Sequence, residues 1–368
     1  RRLLARGTGT HEAVVADIDD DGQLEIVGKD WREPSIQMWR QVVGPTLASR
    51  FEHRLIDRDR SAPSHGVVAF DVDGDGSLDL VCGASWYRNP TWSRTELDNV
   101  DEVLGSVRLA ELGSALVARS QDTLVAISPA TGIREAIVSL AEAPIAIATI
   151  DGAESTPAIV AVATDPTVPA RLFARTADAG WEEVDVPALL PTGGLVAADL
   201  AGEGRVGILS GSGWLENNGD GSFEFRSLEL DIDLEPLSVA VGDVDRDGAP
   251  EIVMGFAGPD VEIGNDKYRP LGRLYVFRQS GDDAGSWSST LIDTLRRPTA
   301  LAVADVDGDG QTEIVCGEHD PSWPYRTQSR LYVYAPADES GVTWRRNTLD
   351  DRFESDHAPC VFEPAQGE

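Results

Sequence analysis

Four short stretches of the sequence place carboxylates at alternate positions, follow them with a glycine and add one more acid. The last stretch runs Asp305-Val306-Asp307-Gly308-Asp309-Gly310 and reaches Glu313, so acids stand at positions 1, 3, 5 and 9. Oxygen ligands spaced in this way around a sharp turn converge on one hard cation, and Ca²⁺ takes about 6–8 of them. We therefore predict about four structural Ca²⁺ sites. The predicted ligands are Asp17, Asp19, Asp21, Glu25, Asp71, Asp73, Asp75, Asp79, Asp243, Asp245, Asp247, Glu251, Asp305, Asp307, Asp309 and Glu313.

The position of the last acid separates these stretches from the helix-loop-helix calcium motif. That motif needs an acid at position 12, where this chain has Gly28 or Cys82, and its acid comes at position 9 instead. Apolar runs such as 300–304 and 314–316 lie on both sides of each stretch. The pattern indicates a strand-loop-strand site, and without a cation so many like charges in nine residues would repel one another.

The elements that must position these loops repeat along the chain. Each unit contains four short apolar or alternating segments, rich in β-branched and aromatic residues, with no competing helical period. Four antiparallel strands repeated in this way are typical of propeller blades. We predict an all-β fold, a single β-propeller domain over residues 1–368 with seven complete four-stranded blades. The predicted blades are 13–57, 67–98, 106–139, 145–186, 195–230, 239–293 and 301–350.

Three units have lost the full acidic loop, and the chain ends are irregular. Segments 110–113, 151–154 and 199–204 replace the loop, although Glu203 leaves a weak site open in the fifth unit. Residues 1–6 resemble an outer fourth strand, and 357–363 resemble an inner first strand. The ends are therefore either closing or stray strands of a seven-bladed ring, or parts of an eighth blade in a fragment of a longer protein.

The acidic loops resemble those of the FG-GAP or VCBS repeat family of calcium-binding propellers. Two further segments, 9–13 (Gly-Thr-His-Glu-Ala) and 317–321 (Gly-Glu-His-Asp-Pro), resemble bacterial relatives of the propeller in aldos-2-ulose dehydratase. The first resemblance implies structural Ca²⁺. The second implies sugar chemistry, in some cases with a catalytic divalent metal.

Four of the five histidines fall on one predicted rim of the propeller. Residues just before the first strand and just after the second strand of a blade should meet on the face opposite the acidic loops, and His11, His65, His319 and His357 occupy such places. They could bind a second divalent metal or act as a general base, or they could cap blade junctions through backbone hydrogen bonds. Their polar neighbours Glu318, Asp320, Tyr325 and Arg326 could supply an acid, a base or an anion clamp, or form an ordinary polar loop.

Aromatic residues on the same predicted rim are candidates for binding sugar. Trp31, Trp86 and Trp214 could stack on sugar rings, or they could fill the wedges between blades. Arg88 could grip a uronate carboxylate in a bidentate fork, or it could form a structural salt bridge.

Composition excludes several other functions. A net charge of −32 disfavours nucleic-acid binding, which needs a cationic surface. No apolar stretch reaches the ~18–20 residues of a membrane helix. Cys82 and Cys316 lie in apolar runs and are expected to be buried thiols without a disulfide. The sequence shows no signal peptide, and we expect an extracytoplasmic protein.

Two functional hypotheses follow. The first is a calcium-stabilised propeller that binds or acts on carbohydrate, as a lyase or dehydratase in which rim residues move a proton and a metal or arginine holds the developing charge. The second is a non-catalytic module whose rim binds a glycan or a protein. Fold alone does not choose between them, because propellers host many functions.

Overall fold

The computed structural model describes residues 12–19, 21–29, 36–42, 51–57, 59, 67–110, 112–153, 156–178, 180–228, 230–259, 261–263, 266–268, 271–280, 286–318, 330–338, 342–350 and 360–361. Every regular element in these ranges is a β-strand, and none is a helix. The strands form seven blades, so the predicted all-β, seven-bladed propeller is confirmed. No helix in the described part of the chain is long and apolar enough to cross a membrane.

The first four blades follow one another along the chain. Blade 1 contains β1 (Glu12–Ala16), β2 (Glu25–Lys29), β3 (Ile36–Gln41) and β4 (Phe51–Asp57). Blade 2 contains β5 (Val67–Phe70), β6 (Asp79–Cys82), β7 (Ser85–Arg88) and β8 (Ser93–Glu96). Blade 3 contains β9 (Glu102–Leu109), β10 (Gly113–Ser120), β11 (Thr123–Ile127) and β12 (Arg134–Ser139). Blade 4 contains β13 (Ala146–Ile150), β14 (Ile159–Ala163), β15 (Arg171–Arg175) and β16 (Trp181–Val184).

The remaining blades include one inserted hairpin. Blade 5 contains β17 (Val196–Ala198), β18 (Gly207–Ser210), β19 (Gly213–Asn217) and β20 (Phe223–Ser227). Blade 6 contains β21 (Pro236–Gly242), β22 (Glu251–Phe256), β25 (Gly272–Gln279) and β26 (Trp287–Leu295), with the hairpin β23 (Val261–Ile263) and β24 (Asp266–Tyr268) inserted. Blade 7 contains β27 (Pro298–Ala304), β28 (Glu313–Glu318), β29 (Leu331–Pro336) and β30 (Trp344–Asp350). The last described strand is β31 (Cys360–Val361).

Two compact units make up the chain. One contains residues 1–17, 21–63 and 229–368, and the other contains 18–20 and 64–228. Within the first, a core cluster joins Val253 of blade 6 to Leu301 and Cys316 of blade 7. Within the second, a cluster joins Val117 of blade 3 to Val160 of blade 4. Neighbouring blades therefore bury their apolar faces against each other, which explains the continuous apolar runs in their second strands.

Burial decreases from the second strand of a blade to its outermost strand. All five residues of β14 are buried, because neighbouring elements cover both of its faces. All four residues of β8 are exposed, and this outer strand has the sequence Ser-Arg-Thr-Glu. Cys82 and Cys316 lie in buried second strands as free thiols, as the sequence predicted.

Strand β31 belongs to blade 1 and not to an additional blade, which was one of the two alternatives for the chain ends. β31 pairs in parallel with β1, with Val14 opposite Cys360 and Val15 opposite Val361. The sheet of blade 1 consequently has five strands in the order β31-β1-β2-β3-β4. The predicted strand at 1–6 lies outside the described residues.

Blade 3 shows how a blade forms without an acidic loop. Its first two strands, β9 and β10, are eight residues long each. They meet in a tight turn in which the Leu112 amide donates to the Leu109 carbonyl and Gly113 has a φ of +71°. The strands have thus extended into the space that a loop takes in other blades.

Candidate metal-binding loops

The four acidic loops join the first and second strands of blades 1, 2, 6 and 7, and we name them by blade. Loop 1 is 17–25, loop 2 is 71–79, loop 6 is 243–251 and loop 7 is 305–313. In loop 7, Oδ2 of Asp305 accepts the Gly310 amide at 2.9 Å, and Gly310 has a φ of +82°. Equivalent bonds run from Gly22, Gly76 and Gly248 to Asp17, Asp71 and Asp243. The aspartate at position 1 therefore fixes the turn, and glycine at position 6 allows its backbone conformation.

Three of the four predicted acids in each loop come together. Their oxygen atoms lie within 4.8 Å of one another in each loop, and they belong to positions 1, 3 and 9. The four triads are Asp17, Asp19 and Glu25; Asp71, Asp73 and Asp79; Asp243, Asp245 and Glu251; and Asp305, Asp307 and Glu313. Such a triad could hold a metal ion.

The acid at position 5 accepts a hydrogen bond from the turn in each loop. In loop 7, Oδ1 of Asp309 accepts the Gln311 amide at 2.8 Å, and the side chain is exposed. The same bond to the residue two places later forms in the other loops, from Gln23 to Asp21, Ser77 to Asp75 and Ala249 to Asp247. These aspartates shape the turn and are not members of the triads that the described residues form.

The acid at position 9 is buried beneath each loop. Glu313 is 1% exposed, and its Oε2 accepts the Val306 amide at 2.9 Å. Burial, followed by repulsion from Asp307, raises the pKa of Glu313 to about 9. Burial likewise raises the pKa of Glu251 to about 7. A dication at the triad would reverse this effect, because an adjacent positive charge favours the ionised carboxylate.

Loop 6 contains oxygen atoms that fit a cation. Oδ1 of Asp243 and Oδ1 of Asp245 are buried and accept no hydrogen bond from the described residues. Their Oδ2 atoms are engaged, with the Gly248 amide at 3.1 Å and with Arg278 Nε at 2.9 Å. Buried anionic oxygens without donors are costly unless a cation covers them. The donor set consists of carboxylates alone, which suits Ca²⁺ or Mg²⁺ better than Zn²⁺.

Sequence reasoning missed an arginine on the third strand of three acidic blades. Arg88 Nε lies 2.7 Å from Asp73 Oδ2, and Arg278 Nε lies 2.9 Å from Asp245 Oδ2. In blade 1, Arg40 Nη2 lies 3.2 Å from Asp21 Oδ2. Each arginine directly follows a large aromatic residue of its strand, Trp39, Tyr87 or Phe277. That recurring pair was the available signal.

The fifth blade keeps the turn but lacks the triad. Oδ2 of Asp199 accepts the Gly204 amide at 2.6 Å, as in the acidic loops. Positions 3 and 9 are Ala201 and Gly207, and Glu203 pairs with Arg205. At the weak site predicted around Glu203, the charged neighbour is therefore an arginine, and positions 3 and 9 supply no carboxylate. In blade 4, Asp151 accepts the Arg108 amide at 2.7 Å and so ties this segment to blade 3.

Most rim candidates lie outside the described residues. These are His11, Trp31, His65, His319, Asp320, Tyr325, Arg326 and His357. Trp86 is described and half-buried on β7, whereas Trp214 is only 1% exposed on β19. An indole buried to that extent packs inside the protein and presents no face to a sugar.

The structure places Arg88 on the loop side of blade 2. The sequence interpretation as a uronate ligand put it on the opposite face, because it assumed that Arg88 follows the second strand directly. Gly83 and Ala84 complete the turn, so Ser85–Arg88 is already the third strand and returns toward the loop. Its guanidinium meets Asp73 there, which agrees with the salt-bridge alternative.

Glu318 is the one described acid among the rim candidates. It ends β28, is 3% exposed, and its Oε1 accepts the Arg296 amide at 2.9 Å. Burial raises its pKa, and the Arg296 amide and the Arg330 charge oppose this shift. Tyr332 beside it has a pKa raised to about 12, mainly by burial. Glu318 thus belongs to a buried polar cluster.

Comparison with known proteins identifies the repeats. The sequence pattern described as an FG-GAP-like repeat matches residues 207–254 and 259–316, so the chain carries FG-GAP-like repeats there. These segments contain loop 6 and loop 7 in full. No curated protein matches the chain in sequence.

Solved structures match the fold. One is BBS1N in a crystal structure with ARL6DN soaked with lead, with a TM-score of 0.53 and 12% identity over 85% of this chain and 90% of that one. Another is BBS1N with ARL6DN soaked with mercury, with a TM-score of 0.54 and 13% identity over 84% and 89% of the two chains. At this identity the likeness supports the propeller fold alone.

Proposed function

We propose that this FG-GAP-repeat propeller binds Ca²⁺ at loops 1, 2, 6 and 7 and is stabilised by these ions. The observation that carries the proposal is the recurrence of one geometry in four loops, with carboxylates of positions 1, 3 and 9 inside 4.8 Å. Each ion would link the start of the loop to the first residue of the second strand. In loop 7 that connection runs from Asp305 to Glu313, and so across the β27–β28 hairpin.

Calcium fits the ligands better than other common divalent ions. Ca²⁺ accepts about 6–8 oxygens in adaptable geometry, so water and backbone carbonyls can complete the shell of three carboxylates. Mg²⁺ demands a near-ideal octahedron and loses its water reluctantly. Extracellular calcium modules bind Ca²⁺ with dissociation constants of ~10⁻⁴–10⁻³ M, and by analogy with them we also propose an extracytoplasmic location.

The proposal is tested by thermal unfolding of chelated protein with added Ca²⁺, Mg²⁺ or Zn²⁺. A site saturated at 100 times its Kd adds about 2.7 kcal/mol to the free energy of unfolding, so Ca²⁺ should raise the Tm clearly. Asp307→Asn should reduce the increase. Asp220→Asn is a control, because Asp220 is another aspartate of a turn, where it accepts the Ser222 amide at 2.9 Å, but it belongs to no described triad. A Tm that ignores Ca²⁺ would contradict the proposal.

A second candidate function is binding of a protein partner. The similar propellers are described as crystallised in a complex with ARL6DN, and unit 64–228 exposes Ile145, Val168 and Leu190. Backbone bonds from Ile145 to Ala163 and from Ala170 to Leu189 bring these segments to the ends of β14 and β15. A photocrosslinker at Leu190 should capture a protein in wild type and lose it in Ile145→Asp. Equal capture by both would count against this surface.

The carbohydrate hypothesis remains a proposal that rests on the rim histidines. Among its described residues, Trp214 is buried and Arg88 is paired with Asp73, so neither supports sugar binding. The test is to incubate wild type and the His319→Ala variant with uronates and ketoses and to compare their turnover and binding. Turnover or binding that is lost in this variant with an unchanged Tm would support it, and no response to any sugar would end it.

A further inference from the structure

The third-strand arginine separates loop 6 from loop 7. In blade 6, Ile252 pairs with Phe277, and the next residue is Arg278. In blade 7, Ile314 pairs with Tyr334 in the same register, and the next residue is Ala335. Two loops with the same four acids therefore differ in whether this strand position carries a guanidinium.

The arginine of blade 6 is held firmly beside the triad. Arg278 Nε lies 2.9 Å from Asp245 Oδ2, and Nη1 lies 3.3 Å from Thr290 Oγ1. The side chains of Arg278 and Asp245 are 17% and 15% exposed, so water screens the pair poorly. Asp245 is a member of the triad, and the arginine therefore already neutralises one of its charges.

Blade 2 repeats this arrangement in a more exposed setting. Leu80 pairs with Tyr87, and Arg88 follows with Nε 2.7 Å from Asp73 Oδ2 and Nη2 3.8 Å from Asp75 Oδ2. In this loop, too, the guanidinium takes one oxygen of the position 3 acid. The recurrence in the two compact units shows that it is a feature of the repeat.

In the fifth blade the arginine near the turn belongs to the loop itself, and the third-strand position that follows Leu215 is Glu216. Arg205 Nε donates to the Asn217 carbonyl at 2.8 Å and pairs with Glu203, while the acids of positions 3 and 9 are absent. Its turn nevertheless forms the same aspartate-to-glycine bond as the acidic loops. An arginine can thus accompany this loop backbone without a triad.

We propose that Arg88 and Arg278 are resident counterions that weaken Ca²⁺ binding at loops 2 and 6. This rests on the proposed Ca²⁺ function. Ca²⁺ affinity depends on the number of ligand charges, and a fixed positive charge beside the triad opposes an arriving dication. Loops 2 and 6 should in return depend less on Ca²⁺ for their structure.

The test is hydrogen–deuterium exchange of the whole chain across buffered free Ca²⁺, read by mass spectrometry. Peptides covering 71–79, 243–251 and 305–313 report each loop separately. Arg278→Gln should move the midpoint of 243–251 about tenfold lower and leave 305–313 unchanged. Ala335→Arg should move the midpoint of 305–313 higher.

A control variant and the contrary outcomes complete the test. Arg226→Gln removes an arginine that pairs with Glu216 and Glu224, away from every triad, and should shift no midpoint. A midpoint of 243–251 that does not change after Arg278→Gln, or that moves to a higher Ca²⁺ concentration, would overturn the proposal. The second result would mean that the arginine orients Asp245, since loss of such support costs about 10–100-fold. Protection of no loop by millimolar Ca²⁺ would overturn the proposed function as well.

Discussion

Replacing Arg175 should destabilise the protein far more than replacing Arg171, four residues earlier on the same strand. Arg175 makes two 2.9 Å bonds to Glu135 of blade 3, and both side chains are less than a tenth exposed. Trp181 Nε1 adds a bond of 3.3 Å to the same carboxylate. Arg171 makes an equally close fork to Glu183, but these side chains are 43% and 50% exposed.

The expected magnitudes follow from this difference in burial. Arg175→Ala leaves a buried carboxylate without its cation, which costs about 3–5 kcal/mol. Arg171→Ala removes a solvent-exposed pair, which contributes about 0–1 kcal/mol. Arg175→Met combined with Glu135→Leu removes both charges and should recover most of the loss, because no buried charge is left uncompensated.

Urea unfolding in saturating Ca²⁺ measures these free energies, and pH provides a second check. The Arg175 hydrogen bonds lower the pKa of Glu135 below its usual 4.5. The stabilisation is therefore present above pH 4.5 and is lost as the pH falls through the lowered pKa of the folded state. Equal losses for Arg175→Ala and Arg171→Ala, or a loss in Arg175→Ala that persists unchanged at low pH, would refute the reasoning.

Three other predictions concern the loops and the rim. Asp307→Ala should lower the Tm in Ca²⁺ and have a smaller effect in EGTA, as scanning calorimetry would show; equal effects in both would mean that Asp307 has no role in cation binding. Gly207→Ala should cost about 1–3 kcal/mol in chemical unfolding, because its Cβ would clash with the Leu215 carbonyl oxygen, and a neutral result would mean that the strands separate easily. Burial raises the pKa of Glu318, so the favourable contribution of its protonated form is lost as the pH rises through that pKa. In a scan from about pH 4 to about pH 8, Glu318→Gln should therefore gain stability relative to wild type as the pH rises. A difference in stability that stays constant across the scan would contradict the raised pKa.

The acidic loops and the blades were predictable because local chemistry sets both. Alternating aspartates with glycine specify a turn, and apolar runs on either side specify buried strands. The same reading identified blade 5 despite the loss of its acids. It also placed Cys82 and Cys316 in buried strands, because they lie in equivalent apolar runs.

Which three carboxylates of each loop lie within 4.8 Å of one another was not predictable from spacing. The exposed Asp309 and the inward Asp307 look alike in sequence, and only the folded turn directs Asp309 to the Gln311 amide. The spacing of residues along the first two strands also does not predict what the third strand contributes, and it is the third strand that brings Arg278 to Asp245, 33 residues apart in sequence. The position of Arg88 was missed for a related reason, because the short turn at Gly83 and Ala84 places it on the third strand and therefore on the loop side.

The number of Ca²⁺ ions bound per chain tests the central claim most directly. Native mass spectrometry of the intact protein in volatile buffer, with Ca²⁺ added up to millimolar concentration, should show a ladder of bound ions that ends at four, one for each triad. EGTA should remove them, and Asp245→Asn combined with Asp307→Asn should end the ladder at two, about half of the wild-type count. A chain that carries no Ca²⁺, or whose count is unchanged by these substitutions, would contradict the account.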